Sequence, residues 1–171
     1  MGLLDKLFGS KKPERPAGLN INAEGGALYA PVSGKVEVTA DIPDPVFACE
    51  AMGKTIAIWP EDGTVFAPLS GSITAAMPHA FGLLGDDGIE ILIHVGVDTV
   101  NMKGDGFTVY VKSGDHVNVG DTLLTFDRAK VAKAGYQDIV MTIVTNSDDY
   151  PELAKVAEGA VVAGTKIMQT A

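Results

Sequence analysis

Gly26-Ala-Leu-Tyr-Ala-Pro-Val-Ser-Gly-Lys-Val36 is echoed, at an offset of 37, by Gly63-Thr-Val-Phe-Ala-Pro-Leu-Ser-Gly-Ser-Ile73. Each Ala-Pro-x-Ser-Gly unit suits a strand, a turn with backbone freedom at Gly, then another strand. A second echo lies further on. Val111-Lys-Ser-Gly-Asp-His-Val-Asn-Val-Gly-Asp-Thr-Leu123 resembles Val156-Ala-Glu-Gly-Ala-Val-Val-Ala-Gly-Thr-Lys-Ile167, one residue shorter between its glycines. From Leu19 onward the chain is short β-rich runs punctuated by Gly, Pro and Asp. This predicts an all-β fold, a sandwich or barrel-like sandwich with internal duplication. The repeats are too few for a solenoid. Two short helices are expected: Asp127 to Lys133, capped by Asp127, and Ser147 to Val156, with Pro151 near its first turn.

A chain of 171 residues, 46 % of them hydrophobic, fits one domain with a sizeable core. The formal net charge of −9 argues against binding nucleic acid, and suits protein partners with basic patches. The single cysteine, Cys49, cannot form an internal disulfide, and no signal peptide opens the chain, so the cytoplasm is expected. No apolar run reaches membrane-spanning length. Residues 1–18 read as a leader and linker, and 19–171 as the single domain. Within the leader, Leu3, Leu4, Leu7 and Phe8 could share a helical face beside Lys6, Lys11 and Lys12. That pattern supports peripheral contact with anionic lipid at most. A monomer is favoured.

The stretch Gly88-Ile-Glu-Ile-Leu-Ile-His-Val-Gly-Val-Asp-Thr-Val100 sets a histidine in an apolar strand. Alternation puts Ile89, Ile91, Ile93, Val95 and Val97 on a core face, and Glu90, Leu92, His94, Gly96 and Asp98 on the other. Gly96 leaves room for another molecule to approach. Asp98 lies roughly 13 Å along the strand and would rim a site. Upstream, Pro78 to Leu84 reads as a strand, and Gly85-Asp-Asp-Gly88 as a turn. With Asp86-Asp87 as the loop, paired numbers sum to 173 and His79 faces His94. With Asp87-Gly88 the sum is 175, and the histidines sit diagonally on one face. Only an odd-length loop would separate them.

Facing histidines admit three uses. They can be an ordinary polar pair. They can bind zinc, although two ligands are incomplete and His116 has no metal-ligand spacing. Or one neutral imidazole can attack phosphorus while the other donates a hydrogen bond to a phosphoryl oxygen.

At this point the residues resemble a known family. The Gly88–Val100 stretch resembles the active-site motif of the glucose-type IIA components of the bacterial phosphoenolpyruvate-dependent sugar phosphotransferase system. The similarity extends to Asn101-Met-Lys-Gly-Asp-Gly-Phe107, Val111 to Leu123, Asp41-Ile-Pro-Asp-Pro-Val-Phe-Ala48 and His79-Ala-Phe-Gly-Leu83. The resemblance implies an antiparallel β-sandwich. It implies that His94 carries a phosphoryl group on Nε2, that His79 assists, and that no cofactor is needed. The group would come from the histidine-containing phosphocarrier protein and pass to a cysteine on the IIB domain of a membrane sugar permease. It also implies a docking patch of Val46, Phe47, Met52, Leu92, Gly96 and Val100, with Asp44 and Asp98 as its acidic members. Family members often have Thr two residues before the first histidine. Here Met77-Pro78 precedes His79, so position 77 offers no hydroxyl to orient it. The M-G-x-G pattern of relatives is here Met52-Gly-Lys-Thr55.

Three rivals stand beside this reading. Cys49-Glu-Ala-Met-Gly-Lys54 superficially resembles a biotinyl or lipoyl carrier, with Lys54 as the attachment site, but Gly53 intrudes. A lysostaphin-like zinc peptidase would need an H-x-H pair that the chain lacks. A regulatory protein that binds metabolic enzymes or transporters is a role as much as a rival. In such a complex zinc could join His79 and His94 to a partner's carboxylate.

Overall fold

The computed structural model describes residues 14–170. The strands are β1 (Ala27–Tyr29), β2 (Gly34–Val36), β3 (Lys54–Pro60), β4 (Thr64–Phe66), β5 (Gly71–Met77), β6 (Ala80–Gly85) and β7 (Glu90–Val95). They continue with β8 (Phe107–Val109), β9 (His116–Val117), β10 (Thr122–Phe126), β11 (Val140–Val144), β12 (Ala154–Lys155), β13 (Ala160–Val161) and β14 (Lys166–Gln169). The α-helices among the described residues are short: α1 (Pro45–Ala48) and α2 (Arg128–Lys133). An eight-stranded sheet runs β13-β2-β3-β11-β7-β6-β5-β9, and two three-stranded sheets run β1-β14-β12 and β4-β10-β8. The ladders are antiparallel, as expected.

The internal duplication explains each letter of Ala-Pro-x-Ser-Gly. Ala30 exchanges two backbone bonds with Gly164 and Thr165, and Ala67 does the same with Gly120 and Asp121. The carbonyls of Pro31 and Pro68 accept crosswise, from the N–H groups of Phe66 and Tyr29. Ser33 Oγ accepts from Ala163 N–H and Ser70 Oγ from Val119 N–H, each at 2.8 Å. The glycines are steric requirements: a β-carbon on Gly34 would lie 1.9 Å from Trp59 O, and one on Gly71 would lie 2.2 Å from Leu84 O. Gly34 pairs with Val161 and Gly71 with Val117, so the second echo closes on the first. The large sheet is therefore palindromic: β13-β2-β3-β11 answers β9-β5-β6-β7 across a pseudo-twofold axis between β11 and β7.

The main core fills the space between the sheets. Ile89, Ile91, Ile93 and Val95 are buried there, as the alternation requires. Val97 is a correction. It joins a second, smaller cluster with Ile42, Phe47, Met141, Ile143 and Leu92 on the opposite, outer face. The period of two ends at Val95 because Gly96 takes φ +81°. Segment 37–53 makes this second cluster by folding over the outer face of β3, β11 and β7.

The helix capped by Asp127 forms, its side chain accepting from Lys130 N–H at 3.2 Å. The helix expected over 147–156 does not. Only a 3-10 turn at Ser147–Asp149 forms, and Tyr150 is at φ −128° before Pro151. A residue preceding proline is pushed out of the helical region, so the chain extends into β12 instead. Helix α1 was not expected. Asp44 caps it by accepting from Val46 N–H, and Pro45 occupies its first turn. Residues 15–18, read as linker, lie against β10: Arg15 Nε donates to Thr122 O, and Thr122 Oγ1 donates to Pro16 O. The amphipathic pattern of residues 1–12 lies outside the described residues. No helix among them is long and apolar enough to cross a membrane.

Candidate functional site

His94 sits near the end of β7, between Met141 of β11 and Ala80 of β6. Its side chain leaves the sheet on the outer face, because its neighbours Ile93 and Val95 take the core face. The ring is half-buried and rests against Phe47, with ring centroids 5.4 Å apart. Its Nδ1 lies 2.7 Å from Gly96 O. A carbonyl can only accept, so Nδ1 carries the proton and Nε2 keeps its lone pair.

Gly96 makes this bond available. Its φ of +81° turns the carbonyl back toward the ring. A β-carbon there would meet Thr99 Cγ2 at 2.4 Å and Gln137 O at 2.8 Å. Gly96 is itself buried. Its small size thus admits the protein's own chain, not a docking molecule, which corrects the expectation. Beyond it, Asp98 adopts φ +61° and Thr99 Oγ1 donates to Val95 O. The chain bends sharply here, so Asp98 returns toward His94 instead of standing two pleats away.

His79 reaches His94 by a route other than the expected register. Ala80 pairs with His94 and Leu84 with Glu90, so paired numbers sum to 174. The loop is odd, residues 86–88, with Gly88 at φ +93° and Gly85 N–H bonded to Ile89 O. A three-residue loop closing on a left-handed glycine is a common hairpin form. That parity would separate the two histidines if both lay in strands. His79 does not. It stands in the two-residue turn, Pro78-His79, between β5 and β6, whose ends Met77 and Ala80 pair. From there its ring meets His94 edge to face, with centroids 5.6 Å apart at 72°. Val95 N–H fixes the turn by donating to His79 O at 2.7 Å.

Desolvation lowers the basicity of His94, against opposing contributions from the Gly96 hydrogen bond and the charges of Asp44 and Asp98. Desolvation and then the nearby His94 lower that of His79. Both rings are therefore neutral near pH 7. One ring nitrogen with a free lone pair thus lies on a half-buried ring beside a second neutral imidazole, which can donate a hydrogen bond.

Around them, Val46, Met52 and Val100 are exposed at 46, 43 and 53 %. Leu92 is half-buried at the same face. Phe47 departs from its expected place in the docking patch: it is buried beneath His94, as the floor of the site. Met77 and Leu84 are exposed on this outer face too and were not singled out from sequence, where short apolar strands look alike. A groove lined by Met52, Gly82, Leu84 and Leu92 continues the apolar surface.

His116 lies elsewhere, on β9, with Nε2 3.0 Å from both oxygens of Asp86. Among the described residues no group of three His, Cys, Asp or Glu side chains stands ready for a metal. The attachment reading of Lys54 fails on position. Lys54 opens β3 instead of tipping a hairpin, and its ammonium donates to Leu153 O.

The comparisons with known proteins point to one family. The family model described as phosphoenolpyruvate-dependent sugar phosphotransferase system, EIIA 1, matches residues 26–150. The PTS system glucose-specific EIIA component of Halalkalibacterium halodurans is 41 % identical over 170 residues, covering 98 % of this chain and 97 % of that protein. The component of the same name from Staphylococcus aureus (strain COL) is 42 % identical over 169 residues, 97 % of each. The PTS system beta-glucoside-specific EIIBCA component of Bacillus subtilis (strain 168) is 44 % identical over 125 residues, 72 % of this chain and 20 % of that one. Among solved structures, the glucose permease IIA from Mycoplasma capricolum superposes with a TM-score of 0.76 at 34 % identity, covering 83 % of this chain and 93 % of that one. With its matched segment holding both His79 and His94, the chain belongs to the EIIA 1 family of the phosphoenolpyruvate-dependent sugar phosphotransferase system.

Proposed function

We propose that this chain is a phosphoryl carrier whose acceptor atom is Nε2 of His94. The observation that supports this most is the 2.7 Å contact between His94 Nδ1 and Gly96 O, which leaves Nε2 as the free nitrogen beside His79. In the forward step the Nε2 lone pair forms a bond to phosphorus. The bond between phosphorus and the donor's histidine nitrogen breaks, and the donor ring keeps that electron pair. The His94 ring gains positive character as the bond forms. The Gly96 carbonyl and the carboxylates of Asp44 and Asp98 are placed to stabilise it. The His79 ring N–H is assigned to onward transfer, where it donates to a phosphoryl oxygen. In the second step a IIB cysteine thiolate attacks phosphorus and the electron pair returns to Nε2.

The partners in this reading are the histidine-containing phosphocarrier protein and a IIB domain of a membrane sugar permease, which places the work on the cytoplasmic side. Val46, Met52, Leu92 and Val100 form the docking patch, with Asp44 and Asp98 complementing a basic partner. The names of the relatives make glucose the first sugar to test. Phosphorylation puts a dianion in the middle of this face, so a regulated enzyme or transporter could distinguish the two forms. With unphosphorylated protein, such a partner's carboxylate could complete a zinc site at His79 and His94.

The test is incubation with phosphoenolpyruvate, enzyme I and the phosphocarrier. An acid-labile, base-stable gain of one phosphate, lost in His94→Gln, is expected. Full labelling of His94→Gln would overturn the assignment.

A further inference from the structure

The turn that carries His79 is unusual for a two-residue hairpin. Such loops normally adopt type I′ or II′ turns, which need positive φ at their first central residue. Pro78 holds that position, and its ring locks φ near −65°. His79 has no positive φ either. The favoured hairpin turns are thus excluded by covalent structure, and the chain uses a turn whose twist does not match its strands. The surroundings compensate. Met77 and Ala80 close the turn as a pair, and Val95 N–H grips His79 O from β7 at 2.7 Å. Behind the turn, Pro78 packs where Gly104 has no side chain: a β-carbon there would come within 3.2 Å of Pro78 Cγ and 3.6 Å of its Cβ.

We infer that Pro78 is a positioning residue, which presets the His79 ring against His94 by fixing the turn in this unprimed form. The backbone here does the work that an orienting side chain would do: a proline at the first turn position, a carbonyl tied to the active strand, and a glycine wall. Burial and His94 itself are the influences on the His79 ring's basicity, with no hydrogen-bonding side chain among them. Removing the ring frees the first turn position for positive φ, most of all as glycine. The turn then relaxes toward a type II′ form and carries His79 away.

This rests on the proposed role of His79 in onward transfer, and the experiment separates the two. Rates of phosphoryl transfer from the phosphorylated protein to a IIB domain are measured for the full chain and for Pro78→Gly, Pro78→Ala, His79→Gln and Pro78→Gly with His79→Gln. Acceptance from the phosphocarrier and the melting temperature are recorded for each. Misplacing a reacting group by about an ångström costs up to roughly a hundredfold, so Pro78→Gly should slow transfer by about ten- to a hundredfold with acceptance retained. Pro78→Ala should fall between it and the parent. With His79 already replaced by Gln, adding Pro78→Gly should change the transfer rate by less than about twofold, because the proline acts only through that ring. A purely structural role would slow the double variant further and would overturn the inference. So would unchanged transfer in Pro78→Gly. Full transfer by His79→Gln would instead overturn the reading of His79 itself.

Discussion

The Nδ1–H of His94 points into the carbonyl of Gly96, two residues along its own chain, at 2.7 Å. This one bond selects the tautomer, orients the ring and depends on a backbone conformation that glycine adopts readily. Replacing Gly96 by Ala should therefore damage both fold and site. The strained φ and the contact with Thr99 and Gln137 should cost about 1–3 kcal/mol of stability. Acceptance should fall more than the lost stability explains once assays are run well below the variant's melting temperature. Urea unfolding and labelling rates check the two parts separately. Normal labelling by a folded variant would mean that the ring does not need this carbonyl.

The exposed part of the docking face should tolerate charge for folding but not for partners. Val100→Lys sets a cation beside Asp98 at a position 53 % exposed. The expected result is an unchanged melting temperature and a KM for a basic phosphocarrier raised by about tenfold, equivalent to 1.4 kcal/mol. Steady-state kinetics at two ionic strengths read this, with the larger effect at low salt. An unchanged KM would place the partner elsewhere.

The lowered basicity of both histidines fixes the sign of two pH effects. Neutral His94 persists below the ordinary histidine range, so acceptance should stay near its maximum as pH drops through about 6.5 and decline only below that. For stability, the unfolded chain takes up protons at these two side chains before the folded chain does. Unfolding free energy should therefore fall as pH decreases from about 6.5 toward the folded-state values. The double variant His79→Gln, His94→Gln should flatten that part of the curve. A stability that rises as pH falls through this window would contradict the assigned direction.

The duplicated motif makes a paired prediction. Ser33→Ala and Ser70→Ala each strand a backbone N–H, of Ala163 and Val119 respectively. Each should cost about 1–2 kcal/mol, and the losses should add, because the two sites sit in opposite halves of the sandwich. Denaturant midpoints of the single and double variants measure it. A strong coupling would show that the two halves do not behave as separate copies.

How much of this was legible depends on how local the cause is. The duplication was readable because the same letters recur wherever the same contacts recur: Ala and Ser bond to the second echo, Pro to the mate repeat, and Gly lies against Trp59 or Leu84. The Asp127 cap was readable because its contact is local. Helix α1 carried an equally good signal, Asp44 before Pro45, but four residues leave too little periodicity to notice. The expected helix at 147–156 gave too much weight to Pro151 as a starter, when the residue before a proline is driven to extended backbone. The histidine register went astray on one glycine. Gly88 belongs to the loop in a left-handed conformation, which makes the loop odd, and the pair is restored only because His79 lies in a turn. Where Phe47 and Val97 pack was misread: alternation put Val97 on the inner core face and the resemblance put Phe47 on the docking surface, whereas both join the cluster on the outer face. That cluster depends on segment 37–53 folding across an outer face that alternation alone marks as open.

The most direct test of the central claim is to locate phosphorus on the phosphorylated protein. Nitrogen-15 and phosphorus-31 correlation spectra of histidine-labelled protein, recorded above pH 8, identify the bonded nitrogen. The account predicts a single phosphorus on Nε2 of His94, with Nδ1 still carrying its proton toward Gly96. Phosphorus on Nδ1, or on a ring of His79 or His116, would contradict it.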